Sequence, residues 1–181
     1  AATVLAACLS AGLLGCAKQA EAPFAGPEYL SWRRTVALTL DYPVPGHQAG
    51  LRIPRMNSLG FLAEPVKQGD RLRWSFPEGT VIVKEIYATA HPAAGEGPVE
   101  LTIMVKRPSD PRSRGGWLWL TKNLPGGEER VFLGDYCFTC HENANEAHPY
   151  GDHNPNPDFR DYVYFVPGEK VGEAAPTGSA Y

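Results

Sequence analysis

The sequence predicts a β-rich α+β protein, an antiparallel meander with flanking helices. Three observations predict it. Seventeen prolines and nineteen glycines are spread along 181 residues, which implies many turns. Several runs are strand-like in composition and bounded by turn residues. One of them, "VELTIMVKR" (99–107), alternates Leu101, Ile103 and Val105 with Thr102, Met104 and Lys106, the pattern of a half-buried strand. The length suits one domain with a core that needs no disulfide staples. Hydrophobic residues make up 43% and charged residues 20%, the balance of a soluble globular protein. The net charge of −3 and the lack of a basic stripe argue against a nucleic-acid partner.

The elements follow in chain order. "PEYLSWRR" (27–34) opens a short helix, with Pro27 in its first turn. "TVALTL" (35–40) reads as a strand and leads into a loop rich in Pro and Gly that carries His47. "LRWSF" (72–76) and "TVIVKEIYATA" (80–90) read as strands joined by the turn "PEG". The half-buried strand follows, then "GWLWLTKN" (116–123), with Trp117 and Trp119 on one face. "CHENANEA" (140–147) has helical character, "HPYGDHNPNPD" (148–158) is a loop, and "YVYFVP" (162–167) a final short strand. The last residues, 169–181, read as a disordered tail. There is no internal repeat.

The N-terminal stretch stands apart. "AATVLAACLSAGLLGC" (1–16) is uncharged and mostly small and apolar, and it is short for a membrane span. It reads as the h-region of an export signal whose basic n-region is missing. "LLGC" resembles the lipobox at which bacterial lipoproteins are cleaved before a lipidated cysteine. The expected division is a signal peptide over 1–15, a lipidated tether over 16–27 starting at Cys16, and a folded domain over 28–168. An exported bacterial lipoprotein facing the periplasm is the localisation implied.

Of four cysteines, Cys8 would leave with the signal and Cys16 would carry lipid. Cys137 and Cys140 remain, separated by two residues and followed by His141. Cys-x-x-Cys-His is the pattern of c-type haem attachment. Two thiols add to the two vinyl groups of one porphyrin, and the adjacent histidine becomes the proximal ligand of the iron. Zinc is a second use of these residues. Cys137, Cys140, His148 and His153 space as C-x2-C-x7-H-x4-H, with a middle gap short of a typical finger's. A disulfide or redox pair is a third, although no βαβ pattern surrounds the cysteines. An exported chain with no other structural cysteine favours haem.

Taken together, "YLSWRR", "FPEGTVIVKEIYATA" (76–90), "VELTIMVKRPSD" (99–110), "GGWLWLTKN" (115–123), "CFTCH" (137–141) and "DYVYF" (161–165) resemble the cytochrome P-460 family, which includes the related cytochromes c′-beta. The resemblance runs over roughly residues 26–167. It implies a mainly antiparallel sheet with flanking helices, usually as a homodimer. It implies one covalent haem c on Cys137 and Cys140, five-coordinate, with His141 proximal. Cytochromes P-460 oxidise hydroxylamine, pass electrons to a redox partner cytochrome, and carry a bond from a lysine nitrogen to a porphyrin meso carbon. The residue that matches this lysine is Lys84. The c′-beta relatives lack the link and bind nitric oxide behind aromatic residues. A simple electron-transfer cytochrome c remains a further reading.

The strand itself bears on Lys84, which shares a face with Ile82 and Ile86. A lysine so flanked is either solvated beside Glu85 or enters an apolar space, where a lowered pKa makes it nucleophilic. Met56 and Met104 are candidate axial thioethers, with core packing the blander role. His47, His91, His148 and His153 read as solvated loop residues. Glu142, Glu146, Asp152 and Asp158 crowd after the haem motif without identifying a distal base. Phe61, Trp74 and Phe76 are candidates to narrow a distal pocket or simply fill the core.

Overall fold

A computed structural model describes residues 23–37, 39–41, 47, 50–148 and 153–168. A 3-10 helix, Pro27–Ser31, leads into β1 (Arg33–Arg34). Then come β2 (Arg52–Met56), β3 (Val66–Gln68), β4 (Arg71–Arg73), β5 (Val81–Ile86), β6 (Glu100–Lys106), β7 (Trp117–Asn123) and β8 (Arg130–Val131). The single α-helix among the described residues, α1, is Tyr136–Glu142, and a 3-10 turn at Asn143–Asn145 extends it. Six strands form one antiparallel sheet in the order β1-β2-β5-β6-β7-β8, while β3 and β4 pair in a separate ribbon. The β-rich antiparallel architecture therefore holds. The expected flanking helices reduce to α1 and short 3-10 turns.

Strands β5, β6 and β7 are apolar on both faces, so both faces are covered. Val81, Val83, Leu101, Ile103, Val105, Leu118 and Leu120 form one buried layer under Ala25 and Tyr29. The N-terminal segment is tied down there, with the backbone N–H groups of Phe24 and Ala25 donating to the Glu129 carboxylate at 2.7 Å each. Met56, Ile82, Met104, Trp117 and Trp119 form the core of the opposite face. Trp117 is wholly buried, and its indole N–H donates to the Asp161 carbonyl at 2.9 Å. Gly115, at φ +61 in the β6–β7 turn, lets the rings of Tyr162 and Phe138 close in where a Cβ would collide with both.

Three expected strands differ. The run 35–40 is not a strand in its described residues. Thr35 donates one backbone bond to Pro54 of β2, and Leu40 makes an isolated bridge to Arg52. Pro54 has no N–H to return, so the ladder that begins at Arg33 and Arg34 stops there. The "PEG" turn is present, but β4 does not pair with β5. The neighbours of β5 are β2 and β6, and the Trp74 N–H goes to the Phe159 carbonyl at 2.7 Å. Finally, 162–167 is a series of turns and bends. Asp161 and Tyr162 have φ of 52° and 68°, which no strand tolerates. The expected tail, and the segment 1–22 with Cys8 and Cys16, lie outside the described residues. No helix among the described residues is long and apolar enough to cross a membrane.

Candidate functional site

Alternation on β5 projects Ile82, Lys84 and Ile86 to one side, and register aligns neighbours with them. Lys84 lies opposite Thr102 of β6 and Pro54 of β2, and Thr102 lies opposite Thr121 of β7. This face, α1 and the segment 163–165 enclose a cavity of about 400 Å³. That is within the range of small-molecule and cofactor sites, roughly 300–1,000 Å³. Its walls are mostly apolar, with aromatic groups from Trp119, Phe132, Tyr136, Tyr164 and Phe165. Cys137, Cys140, His141 and Lys84 all line it.

The helix α1 brings three of these together. Cys137 and Cys140 are three residues apart and therefore neighbours on its surface, and neither is in a disulfide. Burial pushes the Cys137 thiol up. His141 follows in the last turn. Its Nδ1 lies 2.9 Å from the Tyr162 carbonyl. A carbonyl only accepts, so Nδ1 carries the proton and Nε2 keeps its lone pair for a ligand in the cavity. The ring is held edge-on by Trp119 at 4.8 Å and by Tyr164 at 5.2 Å between centroids. The Tyr164 hydroxyl in turn donates to the Cys140 carbonyl at 2.8 Å. Burial, and then the positive charge of Lys84, lower the His141 pKa to about 3. The imidazole is thus neutral through the physiological range.

Lys84 enters from the sheet. Its Nζ lies 2.6 Å from Nε2 of His47, and both side chains line the cavity. Burial, followed by the nearby Arg52, lowers the Lys84 pKa from 10.5 to about 7. Burial, followed by Lys84, takes His47 down to about 2. A neutral imidazole therefore accepts a hydrogen bond from the amine. Glu85, the expected solvating neighbour, is on the other face, where it is 2% exposed and pairs with Arg55 at 3.2 Å.

Other candidates separate clearly. Met104 lines the cavity, whereas Met56 is wholly buried in the core. Phe61, Trp74 and Phe76 pack in the same core cluster and do not line the cavity. Of the carboxylates after the Cys-x-x-Cys-His motif, Glu142 and Glu146 are exposed and Asp152 lies outside the described residues. Asp158 is buried, its carboxylate accepting the Leu72 N–H of β4 at 2.7 Å. His148 packs against Tyr164, at 5.3 Å between centroids, behind the site. His47, expected as a solvated loop residue, instead lines the cavity against Lys84, and Glu100 and Arg52, which the sequence did not single out, line it as well. Period-2 alternation from Lys84 through its partner Thr102 would have found Glu100 on the same face. For His47 no local signal exists, because its partner is 37 residues away.

Two unbonded thiols one helical turn apart, a neutral histidine with a free Nε2 and an apolar cavity fit a haem attached through Cys137 and Cys140. They fit zinc poorly, for among the described residues no three or more His, Cys, Asp or Glu gather as metal ligands. No curated protein matches the chain. The family model described as cytochrome P460 matches residues 62–165, more than half of the sequence, and covers β3 to α1 with Lys84 and the Cys-x-x-Cys-His motif. Membership in that family implies a haem protein of nitrogen-oxide chemistry. The fold, the cavity and this match agree: the chain belongs to the cytochrome P460 family.

Proposed function

We propose that this chain carries one covalent haem c on Cys137 and Cys140, with His141 as the proximal ligand, and oxidises hydroxylamine at a haem cross-linked to Lys84. The observation that carries the proposal is Lys84. Its amine faces the cavity that Cys137, Cys140 and His141 line, and its pKa is lowered to about 7. Much of it is then a neutral nucleophile at physiological pH.

The haem would supply the redox-active iron that takes electrons from a small nitrogen substrate. The residues of the chain do the rest. Cys137 and Cys140 fix the porphyrin to α1. The Tyr162 carbonyl holds His141 in the tautomer that leaves Nε2 to the iron. His47 accepts an N–H of Lys84 and so orients its nitrogen. Mostly apolar walls line the site. Glu100 is a carboxylate that lines the site, placed to act as a base as hydroxylamine loses protons.

The test is turnover of hydroxylamine by the purified, haem-loaded protein with an artificial electron acceptor, together with its reduced absorption spectrum. Oxidation with a strongly red-shifted ferrous Soret band supports the reading. Nitric oxide binding without turnover, and without the shifted band, selects the c′-beta-like alternative. A second reading, a simple electron carrier, is favoured by one observation: Met104 and His47 also line the cavity, and either could saturate the iron. A six-coordinate spectrum would select it. The proposal extends to export, a lipid anchor on Cys16, a homodimer and a redox partner cytochrome, on the sequence grounds given above.

A further inference from the structure

Asp161 and Tyr162 adopt φ of 52° and 68° in succession. Two adjacent non-glycine residues in that region are costly, and such backbone persists only where its surroundings over-determine it. Here they do. Lys106, at the end of β6, donates to both carboxylate oxygens of Asp161 at 2.7 and 2.6 Å. The Phe76 N–H reaches the same carboxylate at 3.1 Å, and the Trp117 indole N–H takes the Asp161 carbonyl at 2.9 Å. On the other side, Oδ1 of Asn145 accepts the N–H of Arg160 at 2.9 Å and that of Tyr162 at 3.2 Å. Lys106 comes from the sheet and Asn145 from the turn that extends α1, so the bend is gripped between the two walls of the cavity. What the bend presents is the carbonyl of Tyr162, 2.9 Å from Nδ1 of His141.

We propose that Lys106, Asp161 and Asn145 are positioning residues that aim the Tyr162 carbonyl at His141 and thereby set the electron density of the iron's proximal ligand. The inference rests on the haem reading above. A well-aimed acceptor on Nδ1–H makes the imidazole a stronger donor through Nε2, because it draws the proton away from the ring. A stronger donor favours ferric over ferrous iron. Loosening the bend lengthens the bond and makes the iron easier to reduce. None of the three residues lines the cavity, so they act on His141 only through the backbone.

The test uses the haem-loaded protein and compares it with Lys106→Met, Lys106→Arg, Asn145→Ala and Asn145→Asp. Two readouts serve: the iron–histidine stretching band of the ferrous protein by resonance Raman, and the midpoint potential. Lys106→Met and Asn145→Ala are expected to lower the stretching frequency. They should also shift the ferric–ferrous equilibrium toward ferrous by about tenfold, a rise of about 59 mV for a one-electron couple. Lys106→Arg keeps a cation on Asp161, and Asn145→Asp keeps the acceptor, so each should return most of the shift. A role in stability alone would lower the melting temperature and leave band and potential unchanged. That result in folded Lys106→Met, or in the milder Asn145→Ala should the first not fold, overturns the proposal. Absence of a covalent haem spectrum from the unmodified protein overturns instead the haem reading on which it stands.

Discussion

The lysine of β5 gives the most exacting prediction. An ordinary lysine, with a pKa of 10.5, is neutral in about one molecule in 3,000 at pH 7. With the value lowered to about 7, Lys84 is neutral in about half. The structure thus raises the reactive form by roughly a thousandfold, chiefly through burial. The sign follows from the chemistry. The link replaces a meso C–H and an amine N–H with a C–N bond and releases two protons and two electrons, so a two-electron oxidant such as peroxide is supplied in the assay. Only the deprotonated amine can attack, so link formation speeds up as pH rises through 7. Between pH 6 and pH 8 the neutral fraction of Lys84 rises about tenfold and then levels off, whereas that of an ordinary lysine would rise about a hundredfold without levelling. The perturbation is Lys84→Tyr, which removes the amine and keeps a bulky group against the cavity. The assay is proteolysis of haem-loaded protein and mass spectrometry of the haem peptides, with time points of link formation taken across that pH range. A peptide holding Lys84 should travel with the peptide holding Cys137 and Cys140, and Lys84→Tyr should yield the latter alone. Hydroxylamine oxidation should be lost in the variant while nitric oxide binding survives. If Lys84 in fully haem-loaded native protein is still a free lysine that trypsin cleaves after, the reasoning fails and the c′-beta-like alternative stands.

Other expectations are simpler. Changing both Cys137 and Cys140 to Ala should leave no haem colour on the chain after denaturing electrophoresis, whereas either single change should leave one thioether and part of the colour. Trp117→Ala removes a wholly buried ring and the donor to the Asp161 carbonyl; urea unfolding should show a loss of about 3–5 kcal/mol. Lys106→Met leaves the Asp161 carboxylate, 6% exposed, without its cation and should cost about 3 kcal/mol by the same assay. Cys16→Ala should release a soluble form from membranes, because acyl chains contribute about 0.8 kcal/mol per buried methylene. A native protein already soluble and cut elsewhere would remove the anchor and leave the haem proposal intact.

Where neighbouring residues carry the information, the sequence by itself determined the outcome. Strands β5, β6 and β7 were legible because their β-branched and aromatic runs and bounding turns are local, and the period-2 geometry of a strand put Lys84 on a face with Ile82 and Ile86. The Cys-x-x-Cys-His motif was equally local, since one helical turn brings both thiols and the histidine to the cavity. Strand β2 was not. "RIPRM" has two arginines and a proline in five residues, and its burial comes from β5 beside it, not from its own composition. Only the tertiary structure decided that "YVYFVP" is not a strand. Its β-branched and aromatic residues favour extension, but Lys106 and Asn145, far away in sequence, hold its approach in a left-handed bend. The same is true of the electrostatics. A charged lysine between isoleucines is ambiguous on paper, because its pKa depends on what covers that face. Folding set Arg52, His47 and α1 against it, and the desolvation that follows is a property of the enclosed cavity.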